Sequence, residues 1–304
     1  MTRIWTRLRG GGPEARTPAP FVVGVARSGT TLLRLMLDAH PRMAIPPETH
    51  FIPKLVKALE EQPGDPHEVA FELITTHRRW PDFGLDADEL RERFDRIDPL
   101  TAGDAMRGFY GLYAEHQGKP RWGDKSPSYV RRMRRVASAL PEAHFIHLVR
   151  DGRDAALSQV EVDFGAETVA EAAEQWADGI AKARRQAKRV DHYMELRYED
   201  LVAEPEPGLQ RVCEFIDLEW DPVMLAYHEG AERRMAEVTR DFERGSGPAI
   251  PAAVRAERHT RVGQPPQQNR AGRWRTDMSA ADREAFEAIA GETLAELGYE
   301  VESN

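Results

Sequence analysis

Eight residues near the N-terminus have the types and spacing to hold an anion: Gly24-Val25-Ala26-Arg27-Ser28-Gly29-Thr30-Thr31. They follow the apolar run Phe21 to Val25 and lead into a stretch carrying Leu32, Leu33, Leu35 and Leu37. A glycine-bearing turn between a strand and a helix presents backbone N–H groups, and the helix N-terminus adds partial positive charge. The spacing is that of a nucleotide phosphate loop with one change, since Thr30 stands where the loop lysine belongs. That lysine serves the β- and γ-phosphates of a nucleoside triphosphate, with Mg²⁺ alongside. Here the cation is Arg27, inside the loop. A second apolar run, His144 to Val149, ends in Arg150, where the magnesium-binding strand of a triphosphatase would end in a carboxylate. An arginine at the C-terminal end of a parallel strand faces the ligand crevice, and its planar fork suits a phosphate. Two such arginines imply a nucleotide with two separate anionic groups and no required metal. No Cys, His and Asp set has metal-ligand spacing.

The elements that must position these residues can be read from periodicity. Phe21–Val25 and His144–Val149 are buried-strand candidates, and Met194–Arg197 is a third. The first strand passes into a helix from about Thr31 to Ala39, stopped by His40-Pro41. A short extended piece follows at Met43–Ile45. Residues 51–117 read as several helices with breaks near 63–66, 81–86 and 98–104. Ser126-Pro127 looks like a helix cap followed by proline at the first helical position, opening a helix that runs to about Leu140. A long helix spans about Thr168 to Val190, and Tyr198 opens another. The last helix, Ser279–Leu297, starts at a capping-box-like Ser279/Asp282 and stops at Gly298. Strands alternating with helices predict an α/β fold: a phosphate-loop-type parallel sheet with helices on both faces. The expected organisation is a disordered basic arm over 1–19 and a single domain over 20–304. Within that domain, 51–117 is a helical insertion and 229–272 a lid, because a stretch that long with little periodicity is more often functional than filler.

Composition narrows the classes. The chain has 304 residues, 41% hydrophobic and 31% charged, as in ordinary folded domains. There is no run of about 18 apolar residues to form a membrane span. The N-terminus has no apolar h-region of a secretory signal. The single Cys213 excludes an intrachain disulfide and suits a reducing cytoplasm. A net charge of −9 argues against nucleic acid as partner, so an anionic ligand must be held by local arginines and lysines. Oligomeric state is left open.

The stretch FVVGVARSGTTLLRLMLDAHPRMAIPPETHFIPKL, together with RWGDKSP, FIHLVRDGRDAALSQ, ELRYEDLV and RAGRWR, resembles the sulfotransferases that use 3′-phosphoadenosine-5′-phosphosulfate (PAPS). The likeness is strongest to the tyrosylprotein sulfotransferases and their bacterial relatives. It implies that Arg27, Ser28, Gly29, Thr30 and Thr31 hold the 5′-phosphosulfate. It implies that Arg150 and Ser158 hold the 3′-phosphate, that Tyr198 lies beside the nucleotide, and that Arg273 closes over the 3′-phosphate side. Glu48 matches the family's catalytic base, and Lys125 a lysine near the leaving-group oxygen. Two positions depart from the tyrosylprotein enzymes: Val162 and His50 each stand where those carry an arginine.

The implied reaction moves a sulfuryl group from PAPS to a hydroxyl or phenol acceptor, small molecule or peptide. It passes through a loose in-line transition state, so the protein mainly positions groups and stabilises charge. Glu48 serves as base if burial raises its pKa toward the working pH. Arg27 and Lys125 face the negative charge that builds on the bridging oxygen. His50 is an alternative base or an acceptor-orienting group. Two competing readings are a phosphate-loop kinase or NTPase, disfavoured by the missing lysine and carboxylate, and a non-catalytic nucleotide-binding module.

Overall fold

A computed structural model describes residues 4–6, 16–61, 64–161, 165–230, 264–266 and 268–301. Its strands in chain order are β1 (Ile4–Thr6), β2 (Ala19–Gly24), β3 (Met43–Ala44), β4 (Arg121–Trp122), β5 (Asp124–Lys125), β6 (Ala143–Val149) and β7 (His192–Arg197). The helices are α1 (Thr30–Ala39), α2 (Ile52–Glu61), α3 (Pro66–Thr75), α4 (Trp80–Phe83), α5 (Ala87–Asp95), α6 (Ala102–His116), α7 (Met133–Ala139), α8 (Gly152–Val160), α9 (Val169–Ala187), α10 (Tyr198–Ala203), α11 (Pro205–Phe215), α12 (Trp274–Asp277) and α13 (Ala280–Glu296).

The main sheet has the order β1-β7-β6-β2-β5. β2 lies parallel to both β6 and β5, and β6 parallel to β7. Every residue of β2 and of β6 is buried, as an unbroken apolar run requires when both faces are covered. The alternation of side chains divides the cover. Phe21, Val23, Phe145 and Tyr193 pack with residues of α2, α6 and α7, while Val22, Ile146, Leu148 and Leu196 pack with α1, α10 and α11. Each fully buried large apolar side chain contributes about 1.5–3 kcal/mol. A third cluster joins Val25 and Val149, at the C-terminal ends of the strands, to α8, α9 and α13. The α/β fold with helices on both faces of a parallel sheet is therefore as the sequence predicts.

Local breaks behave as their residues dictate. Asp65, Asp86 and Thr101 cap α3, α5 and α6 with side-chain oxygens, and Ser279 caps α13. Two expectations need correction. Ile4–Thr6, inside the arm expected to be disordered, pairs antiparallel with β7 as an edge strand. The helix expected from Ser126 to Leu140 is divided: Pro127–Arg131 form a 3-10 turn, and Arg132 (φ −138°, ψ 17°) interrupts the chain before α7. Ser126 caps nothing, because its hydroxyl accepts the Thr49 N–H instead. Of the expected lid, residues 231–263 and 267 lie outside the described residues, as do Val162 and residues 1–3 and 7–15 of the arm.

Candidate active site

The C-terminal ends of β2 and β6 are neighbours in the sheet, with Gly24 paired to Leu148. The turns that leave them therefore share one crevice, the usual ligand position in such sheets. After β2 the chain turns through Arg27 (φ 65°) and Gly29 (φ 93°) into α1. A left-handed arginine is strained, and such residues persist where the surroundings over-determine them. Gly29 is required twice over: by its φ, and because a Cβ there would lie 2.5 Å from the Tyr198 ring.

Arg27 Nε donates to Ser158 Oγ at 2.9 Å, joining the loop to α8. Arg150, just past β6, donates from one terminal nitrogen to Arg27 O at 3.1 Å and from the other to Arg270 O at 2.7 Å. Its guanidinium carbon sits 4.6 Å from the centre of the Tyr198 ring. The structure thus brings Arg27, Ser28, Gly29, Thr30, Arg150, Ser158 and Tyr198 together where the sequence put them. Ser28 Oγ and Arg150 Nε are buried and have no partner among the described residues, which suits a site that receives an anion.

Arg273 is placed differently from its expectation. Its guanidinium is held by Glu161 and Asp277, so it spans the end of α8 and α12 rather than pairing with the Arg150 group. The turn that carries it is pinned by a residue the sequence reading passed over. Asp154 accepts the Gly272 N–H at 2.7 Å and the Trp274 N–H at 2.9 Å. A signal was available: Asp154 and Ser158 are spaced by four, which puts them on one side of the helix that opens just after Arg150.

On the other flank of β2, Lys125 of β5 reaches the loop, with Nζ 3.4 Å from Thr31 Oγ1. The same ammonium donates to Glu48 Oε1, and His50 Nε2 lies 2.8 Å from Glu48 Oε2. Glu48 and Lys125 are therefore an ion pair at the edge of the anion loop. Burial pushes the Glu48 carboxyl up, but the Lys125 ammonium and the His50 imidazole together outweigh it and hold it well below the usual carboxylate range. This corrects the expectation that burial would raise it toward the working pH. Burial likewise pulls the Lys125 ammonium down, and Glu48 offsets part of that.

Behind this pair lies a buried polar cluster that the sequence did not disclose. Thr49 Oγ1 donates to Asp124 Oδ2 at 2.9 Å, and Tyr110 OH donates to the same oxygen at 2.9 Å. Tyr129 OH lies 2.7 Å from Thr49 Oγ1 and accepts the Ile52 N–H at 3.1 Å. Burial pushes the Asp124 carboxyl up to about 6 against these hydroxyl bonds.

A family described as "Sulfotransferase family" has a sequence model that matches residues 18–222, more than half of the chain. The chain belongs to the sulfotransferase family. It is 27% identical over 242 residues to a protein-tyrosine sulfotransferase of Drosophila melanogaster, covering 77% of this chain and 44% of the relative. It is 28% identical over 307 residues to the nodulation protein NoeE of Sinorhizobium fredii, covering 92% of this chain and 65% of that protein. The chain spans about half the length of the protein-tyrosine sulfotransferases it matches. Among solved structures, the sulfotransferase domain from the curacin biosynthetic pathway aligns with a TM-score of 0.61 at 21% identity. That alignment covers 95% of this chain and all of the domain, and it shows a shared fold. No helix among the described residues is long and apolar enough to cross a membrane.

Proposed function

We propose that this sulfotransferase-family chain transfers a sulfuryl group from PAPS to a hydroxyl or phenol acceptor by in-line displacement. The observation that carries the reading is the convergence of two arginine-anchored anion positions with a carboxylate–ammonium pair. Arg27/Ser158 and Arg150 stand at neighbouring strand ends, and Glu48–Lys125 meets the same loop at Thr31. The fit to the co-substrate rests on the orphaned Ser28 Oγ and Arg150 Nε.

In the balanced step the acceptor oxygen forms a bond to sulfur while the bond from sulfur to the bridging phosphate oxygen breaks. The acceptor proton goes to Glu48, and the electron pair stays on the departing adenosine 3′,5′-bisphosphate. Negative charge grows on that bridging oxygen, where Arg27 and Lys125 supply positive charge. The low pKa of Glu48 belongs to the state in which Lys125 is paired with it. When the ammonium turns to the leaving oxygen, its pull on Glu48 falls and the carboxylate becomes a stronger base as its proton arrives.

Calorimetry with adenosine 3′,5′-bisphosphate and a PAPS assay across phenols, sugars and peptides, read by the mass gain of one SO₃, test this reading. Glu48→Gln is expected to keep bisphosphate binding and to lower turnover roughly tenfold or more, the usual worth of a general base. Unchanged turnover removes Glu48 from the mechanism, and absence of any nucleotide affinity sinks the assignment.

A further inference from the structure

Glu48 and Lys125 lie on two short segments, 48–50 and 124–126, and the side chains between them are tied on the buried side. Along the extended β5 segment side chains alternate, so Lys125 faces Glu48 and Thr31 while Asp124 and Ser126 face the other way. There they meet Thr49, the residue between Glu48 and His50. Thr49 N–H donates to Ser126 Oγ at 3.2 Å, and Thr49 Oγ1 donates to Asp124 Oδ2 at 2.9 Å. Thr49, Asp124 and Ser126 are all fully buried.

The hydrogen count gives the cluster a direction. Asp124 as a carboxylate only accepts, so the single Thr49 hydroxyl hydrogen goes to it. Tyr129 OH, which accepts from Ile52 N–H, must then donate to Thr49 Oγ1. Ile52 N–H, Tyr129, Thr49 and Asp124 thus form a chain of donors ending on one carboxylate oxygen, which also takes Tyr110 OH. The chain begins on the first residue of α2. His50 adds a constraint on the same segment. Its left-handed backbone (φ 55°) lets the Glu48 and His50 side chains meet while the Thr49 side chain points into the cluster.

We propose that the Thr49–Asp124 contact is a register clamp that sets the separation of Glu48 from Lys125, making Thr49 and Asp124 positioning residues for sulfuryl transfer. The proposal rests on the functional reading above for its kinetic consequence, but its geometric consequence is independent of that reading. The clamp acts on the spacing of the pair and not on the nucleotide loop. Among the described residues no side-chain hydrogen bond of Thr49 or Asp124 reaches residues 24–31, so nucleotide affinity is expected to be untouched.

The test compares Thr49→Val, which removes the hydroxyl at constant shape, with Thr49→Ser, which restores it, and with Tyr110→Phe, which removes a different donor to the same carboxylate. For Thr49→Val, kcat is expected to fall by roughly tenfold or more, with the Kd for adenosine 3′,5′-bisphosphate within about twofold of the parent. Thr49→Ser and Tyr110→Phe are expected to stay within about threefold in kcat. A Thr49→Val protein with parental kcat overturns the clamp. So does a Tyr110→Phe loss as large as that of Thr49→Val, because the effect would then follow the buried cluster in general. If Thr49→Val does not fold, Thr49→Ala, which leaves room for a water, is held to the same outcomes. Crystal structures of the variants give a readout that does not depend on activity. The Glu48–Lys125 pair is expected to separate beyond ion-pair distance in Thr49→Val or Thr49→Ala and to persist in Thr49→Ser. An intact pair without the Thr49 hydroxyl refutes the clamp, whereas failure of the parent protein to use PAPS refutes only the functional reading.

Discussion

Replacing Asp124 with Asn should favour the protein more at neutral pH than in acid, because the carboxylate is ionised at a site that disfavours charge. Asp124 is fully buried, and burial is the largest influence on it. Two hydroxyl donors converge on Oδ2, while Oδ1 has no partner among the described residues. The carboxyl rises from 3.8 to about 6. At 1.36 kcal/mol per pH unit that rise is roughly 3 kcal/mol. The sign follows from linkage. A group whose folded pKa lies above its unfolded value binds protons more tightly when folded. Its contribution is therefore present below about pH 4 and is lost as pH rises through about 6. Asn has no such titration, and its carbonyl oxygen can still accept from Thr49 and Tyr110. The amide nitrogen in place of Oδ1 adds a pH-independent penalty of about 1–3 kcal/mol if it finds no acceptor. The decisive quantity is therefore the pH dependence of the difference between the two proteins. Urea unfolding at about pH 4 and about pH 8 should show the Asn protein gaining roughly 2–3 kcal/mol relative to the parent across that interval. A difference that does not change with pH, or one that favours the parent more as pH rises, refutes the reasoning.

Two further substitutions address the nucleotide side. Gly29→Ala places a methyl 2.5 Å from the Tyr198 ring at a backbone φ of 93°; it should lower stability by about 1–3 kcal/mol and weaken adenosine 3′,5′-bisphosphate binding, and parental calorimetry would count against the loop. Arg150→Lys keeps the charge but loses the fork that spans Arg27 O and Arg270 O; bisphosphate affinity should fall roughly tenfold, with a loss under twofold showing that charge alone suffices there.

How much of this site could be read from residues depended on how local its signals were. The β2–loop–α1 unit was legible because its strand, its glycine and its helix start are contiguous, and because Arg27 takes over the cation that Thr30 fails to supply. Arg150 was legible because a buried strand that ends in a charge has to face the crevice. The helices of 51–117 were legible as breaks, and within those breaks Asp65, Asp86 and Thr101 cap the helices that follow. The Thr49–Asp124 clamp was not, because it joins residues 75 apart, Thr49 outside any strand and Asp124 in a strand of two residues, too short to show any period. The break at Arg132 escaped for a related reason. Ser126-Pro127 is a genuine helix-start pattern, but tertiary bonding gave the serine hydroxyl to Thr49. The direction of the Glu48 shift escaped because it depends first on Lys125 meeting Glu48 across 77 residues and then on His50 folding back through a left-handed φ, neither of which PPETHF announces.

The paired state of the site has a consequence that kinetics can reach. Three cations of the site are partnered before any nucleotide arrives: Lys125 with Glu48, Arg150 with two carbonyls, Arg27 with Ser158. The two arginines are thereby oriented before charge develops, whereas Lys125 has to turn from Glu48 to the leaving oxygen. The same pairing holds Glu48 ionised to low pH, chiefly by opposing burial with the Lys125 charge. Lys125→Met removes that charge and leaves burial with only His50 against it, so the Glu48 carboxyl must rise. Because kcat/KM reports the free enzyme, its acid limb should move up by at least about one pH unit in the variant, beyond the fall in rate itself. The rise has this sign because Glu48 must be ionised to take a proton, and a higher pKa leaves less of it ionised at a given acid pH. An acid limb that stays in place when Lys125 is gone would mean that Glu48 is not the group whose ionisation the rate requires.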